Sequence, residues 1–312
     1  MKVYIIDTVH NSLLVGLRQM GFSLVEEYKK PPAEIAWSEI EGLIIRSRFP
    51  LDASILAKAS KLKFIARVGA GLENIDQEYC KASGIELIAA PEGNRNAVAE
   101  HAMGMLLSLL NRLRIVDQEV RAGIWLREEN RGFELAGKTV GIIGYGQMGS
   151  AFAEKLKAFG CHILSYDKYK SHYAPEGVKE VTLETLQAEA EIVSLHIPQT
   201  TETIKMVDTA FFGQFKKSIY LLNTARGKIV ESEALMTALE SGKVLGACLD
   251  VLEFEKSSFE TIFQGERPAA LDYLLKSDKV ILSPHIAGWS FESNEKMAAV
   301  ILEKLKNLNF LG

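Results

Sequence analysis

Short apolar runs recur through the first ninety residues: KVYII (2–6), LIIRS (43–47), KFIARVG (63–69) and IELIAAP (85–91), with helical spacing at 52–60 and 76–83 between them. Each run is short and rich in β-branched residues, which predicts a strand. Strands that alternate with helices predict a mostly parallel sheet. From 96 to about 121 helical character persists without a proline or a turn cluster, predicting one long helix between two domains. A second series follows, with TVGII (139–143), CHILSYD (161–167), EIVSLHI (191–197), SIYLLNT (218–224), KVLGACLD (243–250) and KVILS (279–283) as strands. Six strands with right-handed crossovers make a doubly wound sheet. Within this series, 150–159 sets Phe152, Leu156 and Phe159 on one helical face, and Gly160 stands where the helix should end. A last helical stretch, 291–308, is expected to return to the first domain. The expectation is an α/β protein of two doubly wound parallel-sheet domains, one (97–285) inserted in the other (1–96 and 286–312).

Composition narrows the partners. The 312 residues are 47% hydrophobic and 24% charged, enough for two cores. A net charge of −4 offers no general attraction to nucleic acid or anionic lipid, so a small-molecule partner is expected. Cys80, Cys161 and Cys248 lie far apart, which fits free thiols in a reducing compartment and neither a disulfide framework nor a metal site. MKVYIIDTVH enters a strand pattern directly, so no secretion signal is expected. The apolar stretch 97–116 is interrupted by Glu100, His101, Asn111, Arg112 and Arg114, too polar to span lipid. A cytoplasmic location follows as an expectation.

The sharpest local signal is Gly144, Gly146 and Gly149, which follow the strand TVGII and open a helix, with Asp167 eighteen residues beyond Gly149 at the end of a second strand. Gly144 suits a tight turn, Gly146 lets a pyrophosphate approach the backbone, and Gly149 permits close helix–strand packing. Gln147 and Met148 complete the turn, whose helix N-terminus offers N–H groups to phosphates. Asp167 can accept hydrogen bonds from ribose hydroxyls and repel a 2′-phosphate, favouring NAD over NADP. Lys168 and Lys170 add positive charge nearby.

Four successive apolar runs deliver a polar side chain at their carboxyl ends: His196, Arg226, Asp250 and His285. In a parallel sheet those ends share one edge, where ligands bind in open α/β folds. Reduction of a 2-oxo acid requires a cation on the carboxylate and an acid for the alkoxide as the hydride arrives. The planar fork of Arg226 suits the first requirement, and His285 the second. A carboxylate beside His285 would fix its tautomer, and Glu253 and Glu255 are both candidates.

The motifs VGAGLENID (68–76), NAVAEHAMGMLLSLLNR (96–112), GKTVGIIGYGQMG (137–149), LHIPQTTET (195–203), LLNTARGKIVESEAL (221–235), LDVLEFE (249–255) and SPHIAGWS (283–290) resemble, in this order, those of the D-isomer-specific 2-hydroxyacid dehydrogenases. Within that family the chain is most similar to the D-3-phosphoglycerate dehydrogenase branch. The resemblance implies Arg226, Glu255 and His285 as the catalytic set. It implies Asp250 at the nicotinamide amide, and His196, Pro198, Thr203, Thr224 and Ala225 along an NAD site. It also implies Ala70, Gly71 and Asn74 around the substrate carboxylate. A Rossmann NAD domain inserted in a flavodoxin-like substrate domain is implied, together with a homodimer built on the long helix and the loop near Trp125. Arg46, Ser47, Arg48 and Arg127 are the expected donors to a substrate phosphate. Ala97, Gln147 and Lys256 stand where the family often has serine, arginine and proline, and 256–277 is longer than the usual loop. The serine-binding regulatory domain of larger relatives is expected to be absent. The expected reaction interconverts 3-phospho-D-glycerate and 3-phosphohydroxypyruvate. A glyoxylate or hydroxypyruvate reductase and a dinucleotide-sensing corepressor are the alternative readings.

Overall fold

The computed structural model describes residues 1–255, 267–308 and 310. Of the expected long loop at 256–277, the first half, 256–266 with Lys256 at its start, lies outside the described residues, and the second half is not loop but carries a helix at Ala269–Lys276. The chain divides into two compact units. One comprises Met1–Arg95 and Trp289–Gly312, the other Asn96–Glu255 and the described residues up to Gly288.

The first unit contains β1 (Lys2–Ile5), α1 (Asn11–Gln19), β2 (Ser23–Glu26), β3 (Gly42–Ile45), α2 (Ala53–Leu56), β4 (Phe64–Arg67), α3 (Gln77–Ala82) and β5 (Glu86–Ala89). All pairings are parallel and the strand order is β2-β1-β3-β4-β5, the flavodoxin-like winding. Alternation along the strands fills two cores. Val3, Ile5, Ile44 and Phe64 meet Leu13 and Leu17 of α1 and Ile301 and Leu305 near the C-terminus, while Tyr4, Leu43, Ile45 and Ile65 meet Leu56 and Cys80. β2 went unread in the sequence because SLVE is half-exposed and too short to show alternation.

α4 (Pro91–Leu110) follows, then α5 (Leu113–Arg121). The expected single helix is therefore two, and it starts earlier. Pro91 ends the run IELIAAP and opens α4, a position where its missing N–H and fixed φ do no harm. The break lies at Arg112, which is left-handed (φ 54°), and the Leu110 carbonyl accepts from the returning Phe133 N–H at 3.0 Å instead of continuing the helix.

The second unit contains β6 (Thr139–Ile143), α6 (Gln147–Lys157), β7 (His162–Tyr166), β8 (Val178–Glu180), α7 (Leu183–Glu189), β9 (Ile192–Leu195), α8 (Thr209–Gln214), β10 (Ile219–Asn223), α9 (Ser232–Glu240), β11 (Val244–Leu249), α10 (Ala269–Lys276) and β12 (Val280–Leu282). Its parallel sheet runs β12-β11-β10-β9-β6-β7-β8, a Rossmann winding extended by one strand. β8 is an unanticipated three-residue edge strand. In α6 Phe152 and Leu156 are fully buried, but the helix ends at Lys157, so Phe159 falls beyond it and is exposed. α11 (Phe291–Leu308) belongs to the first unit, where Leu302 packs against Gly16 of α1. Among the described residues no helix is long and apolar enough to cross a membrane, and no group of three His, Cys, Asp or Glu side chains is arranged to hold a metal ion.

Candidate active site

Register places the chemistry of the second unit. Tyr166, Ile143, Leu195, Asn223, Leu249 and Leu282 pair in a single row across six strands. The residues one step further along each strand are Asp167, Gly144, His196, Thr224, Asp250 and Ser283. Every one of them is polar or glycine, and they line the carboxyl edge of one sheet.

The winding reverses between β6 and β9, and there the glycine turn lies. Gly144 has φ +91°, and a Cβ on it would fall 2.5 Å from the His196 carbonyl oxygen. A Cβ on Gly149 would fall 2.1 Å from the Gly144 carbonyl oxygen, so α6 can meet β6 only through glycine. Gly146, the N-cap of α6, is different: a Cβ there meets nothing within 4 Å. The protein's own packing therefore explains two of the three glycines and leaves open space at the third, at a helix N-terminus suited to a phosphate.

The neighbouring side chains complete this half. Asp167 accepts from the Tyr145 N–H at 2.9 Å and the Tyr169 N–H at 3.0 Å. Lys168 pairs with Glu202, and Lys170 donates to the Tyr145 carbonyl at 2.8 Å, so both lysines have partners within the unit. Thr203 Oγ1 donates to the Pro198 carbonyl at 2.6 Å and closes the loop after β9. Thr224 Oγ1 is buried without a hydrogen-bond partner, and Ala225 beside it is buried. An orphaned hydroxyl and an open Gly146 on one sheet edge fit a dinucleotide. Gln147 is exposed and Met148 half-buried at the start of α6. His196 turns back into its own unit: Nε2 pairs with Ser194 Oγ at 2.8 Å, the ring lies 5.4 Å from Phe152, and burial lowers its pKa to about 4. It is neutral at pH 7.

The candidate reacting half is built by three loops. Asn223, 1% exposed, clamps the turn after β10 from both ends, accepting from the Ala225 N–H at 3.1 Å and donating to the Arg226 carbonyl at 3.0 Å. Gly227 sits against the Leu252 carbonyl, where a Cβ would fall at 1.9 Å. The Leu252 N–H donates to Glu255 Oε1 at 2.5 Å, so one residue of the β11 loop ties the Arg226 turn to Glu255. Glu255 Oε2 pairs with His285 Nδ1 at 2.7 Å. Glu253, the other candidate carboxylate, instead accepts from the Ser232 N–H at the start of α9. Arg226 Nη1 donates to the Ala225 carbonyl at 2.6 Å.

Asp250 does something the resemblance did not imply. It is 2% exposed, and its carboxylate accepts from Ser283 Oγ at 2.6 Å and from the Ile286 and Ala287 N–H groups at 2.9 Å each, while its carbonyl accepts from the His285 N–H at 2.8 Å. These bonds hold the turn in which His285 is left-handed (φ 56°), a strained state for a non-glycine residue.

The remaining candidates are dispersed. In the first unit Asn74 is buried and its amide lies 3.5 Å from the Arg46 carbonyl, with Ala70 and Gly71 partly exposed on the preceding loop. The Arg46 guanidinium stacks 3.8 Å from the Trp289 ring, and Ser47 is half-buried beside it. Arg48 is committed elsewhere: it donates to the carbonyls of Ile6, Glu27 and Lys30 at 3.1, 2.9 and 2.7 Å, the pattern of a structural arginine and not of an anion-binding one. In the second unit Arg127 is exposed beside Trp125.

Residues 103–287 match the family model described as D-isomer specific 2-hydroxyacid dehydrogenase, NAD binding domain, more than half of the chain. The chain belongs to the D-isomer specific 2-hydroxyacid dehydrogenases. Its second unit is the NAD-binding domain of that family. The chain is 33% identical over 312 residues to a D-3-phosphoglycerate dehydrogenase of Archaeoglobus fulgidus, covering 99% of this chain and 57% of that protein. It is 34% identical over 270 residues to a hydroxypyruvate reductase of Thermotoga maritima, covering 86% of this chain and 84% of that protein. The crystal structure of a D-lactate dehydrogenase from Aquifex aeolicus, in complex with NAD and lactic acid, superimposes with a TM-score of 0.84 at 29% identity, covering 99% of this chain and 95% of the other. The chain thus spans little more than half of the first relative's length and most of the other two.

Proposed function

We propose that the protein is an NAD-dependent dehydrogenase that moves a hydride between nicotinamide and C2 of a D-2-hydroxy acid, with 3-phospho-D-glycerate and 3-phosphohydroxypyruvate as its substrate pair. The observation that carries this reading is the Glu255–His285 pair at 2.7 Å, on the same sheet edge as the Arg226 turn and the open Gly146. NAD, when bound, supplies the hydride acceptor. Gly144, Gly146, Gln147, Met148 and Gly149 would hold its pyrophosphate, Asp167 its adenosine ribose, and Thr224 and Ala225 the part nearer the chemistry.

Because His285 Nδ1 is taken by Glu255, Nε2 is the nitrogen that exchanges a proton with the substrate oxygen. In oxidation the hydroxyl proton passes to Nε2 as hydride leaves C2, and in reduction it returns to the new alkoxide. Arg226 holds the carboxylate in bidentate fashion and polarises the C2 oxygen. Arg46, stacked on Trp289, reads the distal phosphate. A hydroxypyruvate reductase is the second reading, favoured by the Thermotoga relative, of which this chain covers 84%.

The exposed apolar side chains Leu113, Val120, Ile124, Trp125 and Leu126 support a homodimer through α5 and the loop that follows it, and three free cysteines accord with a cytoplasmic setting. Sedimentation measures the first point.

The functional test is NADH oxidation with glyoxylate, pyruvate, hydroxypyruvate and 3-phosphohydroxypyruvate. The expected order puts 3-phosphohydroxypyruvate highest in kcat/KM, and a preference for hydroxypyruvate or glyoxylate would transfer the assignment to the second reading. His285→Ala should lower kcat by roughly 10² to 10⁴ while NADH binding persists.

A further inference from the structure

The polar network around Asp250 extends one residue beyond the groups that react. His101, on α4 and within the second unit, lies with Nε2 2.8 Å from Ser283 Oγ, and Ser283 Oγ lies 2.6 Å from Asp250 Oδ1. The direction of each bond is fixed by chemistry. A carboxylate only accepts, so the Ser283 hydroxyl hydrogen points at Asp250. The serine oxygen is then the acceptor for His101, which must carry its hydrogen on Nε2. Asp250 Oδ1 also takes the Ile286 N–H, and Oδ2 the Ala287 N–H. With Asp250 2% exposed, no solvent stands by to replace a lost donor.

We propose that His101 is a positioning residue for His285. Its Nε2–H, relayed through Ser283, sets the orientation of the Asp250 carboxylate, and that carboxylate holds the left-handed turn that aims His285 at the substrate oxygen. A helix packing against a sheet needs only an apolar residue at such a site. α4 supplies one at nearly every neighbouring inward position, Ala99, Ala102, Met103, Met105 and Leu106 among them. The histidine is the exception, and its side chain, 26% exposed, is spent on a hydrogen bond to the loop after β12. Among the described residues Ser283 is the bridge in this path: His101 Nε2 lies 3.6 Å from Asp250 Oδ1, too far for a direct bond of comparable strength.

This inference rests on His285 as the group that exchanges the proton, and the experiment separates the two. His101→Leu, His101→Gln, Ser283→Ala, His101→Leu with Ser283→Ala, and His285→Ala are compared in NADH oxidation with 3-phosphohydroxypyruvate and with glyoxylate, with NADH affinity followed by fluorescence and folding by thermal melting. His101→Leu should lower kcat roughly 10- to 100-fold, the effect of misaligning a reacting group, with KM and NADH affinity within about twofold of wild type. His101→Gln, whose amide N–H can stand in for Nε2–H, should recover most of that loss. Because the relay has one path, the double variant should be no slower than Ser283→Ala alone. A kcat for His101→Leu within about twofold of wild type would overturn the proposal. So would a His101→Gln variant as slow as His101→Leu at the same melting temperature, or losses that multiply in the double variant. If His101→Leu does not fold, His101→Gln and Ser283→Ala decide: a slow serine variant with a fast glutamine variant supports the relay, and any other combination overturns it. A His285→Ala variant that keeps wild-type turnover sinks the underlying reading of the site, whereas a crippled His285→Ala beside a normal His101→Leu sinks only the relay.

Discussion

Asp250→Asn preserves shape and removes charge, and the structure allows its effect to be worked through. In the parent the carboxylate accepts three hydrogen bonds, at 2.6, 2.9 and 2.9 Å, out of reach of solvent. Bonds to a charged acceptor contribute about 1.5 to 3 kcal/mol each, so the three together supply about 4.5 to 9 kcal/mol. Against them stands the left-handed backbone of His285, which costs about 1 to 3 kcal/mol. The bonds win comfortably. In the variant, the better amide orientation keeps the Ser283 and Ile286 donors on the carbonyl oxygen and turns the NH₂ group toward the Ala287 N–H. Two neutral bonds then remain, worth about 0.5 to 1.5 kcal/mol each, while a buried N–H loses its partner at a cost of about 1 to 3 kcal/mol. The balance is near zero and no longer exceeds the strain, so the turn relaxes and His285 loses its alignment. The expected result is a kcat reduced about 100-fold with NADH affinity within about twofold of the parent, measured by steady-state NADH oxidation and by fluorescence titration. A kcat within about twofold of the parent would refute the reasoning. A weakened NADH affinity with kcat preserved would assign Asp250 to the nicotinamide amide instead, the role that the family resemblance implied.

Three further substitutions test the other parts of the site. Arg226→Lys retains the charge but not the planar fork, and kcat/KM should fall by roughly 10² or more; near-parent kinetics would make Arg226 peripheral. Asp167→Ala should narrow the preference for NADH over NADPH, read as the ratio of kcat/KM values, and an unaltered ratio would remove Asp167 from the ribose. Arg46→Ala should raise KM for 3-phosphohydroxypyruvate far more than for hydroxypyruvate, and equal effects on both would move the phosphate away from the Trp289 stack.

Much of this arrangement is legible in the sequence because it follows from periodicity and from strand ends. Parallel strands put their carboxyl termini on one edge, so Asp167, Gly144, His196, Asp250 and the residues after β12 could be grouped without coordinates. Direction was not legible. His196 and Asp250 occupy neighbouring positions in the row, yet one turns back to pair with Ser194 and the other commits its carboxylate to the turn of His285. The break between α4 and α5 was hidden because Arg112 carries no helix-breaking signal, and its left-handed backbone depends on Phe133, twenty-one positions away, capturing the Leu110 carbonyl. Arg48 read as an anion donor from its position after a strand, but whether a guanidinium meets solvent or three carbonyls is a tertiary fact. Asn223 and His101 were missed for the converse reason. Each is a polar interruption of an apolar run, and that interruption was the available signal.

In the proposed reading, class and substrate are written in different parts of the chain. The proposed catalytic residues Arg226, Glu255 and His285, and the groups proposed to position them, Asn223, Leu252, Asp250 and Ser283, all belong to the second unit, and the hydrogen bonds that link them are made there. Hydride and proton transfer at C2 make the same demands of any 2-hydroxy acid, so this unit can stay constant while substrates change. What distinguishes a phosphorylated acid from glyoxylate is the group attached beyond C2, and the donors proposed to read it, Arg46 and Ser47 with Trp289, lie in the first unit. There the local requirement is weak: an arginine after a strand can stack on an aromatic ring, as Arg46 does, or brace carbonyls, as Arg48 does two residues on. Relatives named for phosphoglycerate, hydroxypyruvate and lactate can therefore share the reacting geometry, and kinetics on variants of the first unit, not of the second, will assign the acid.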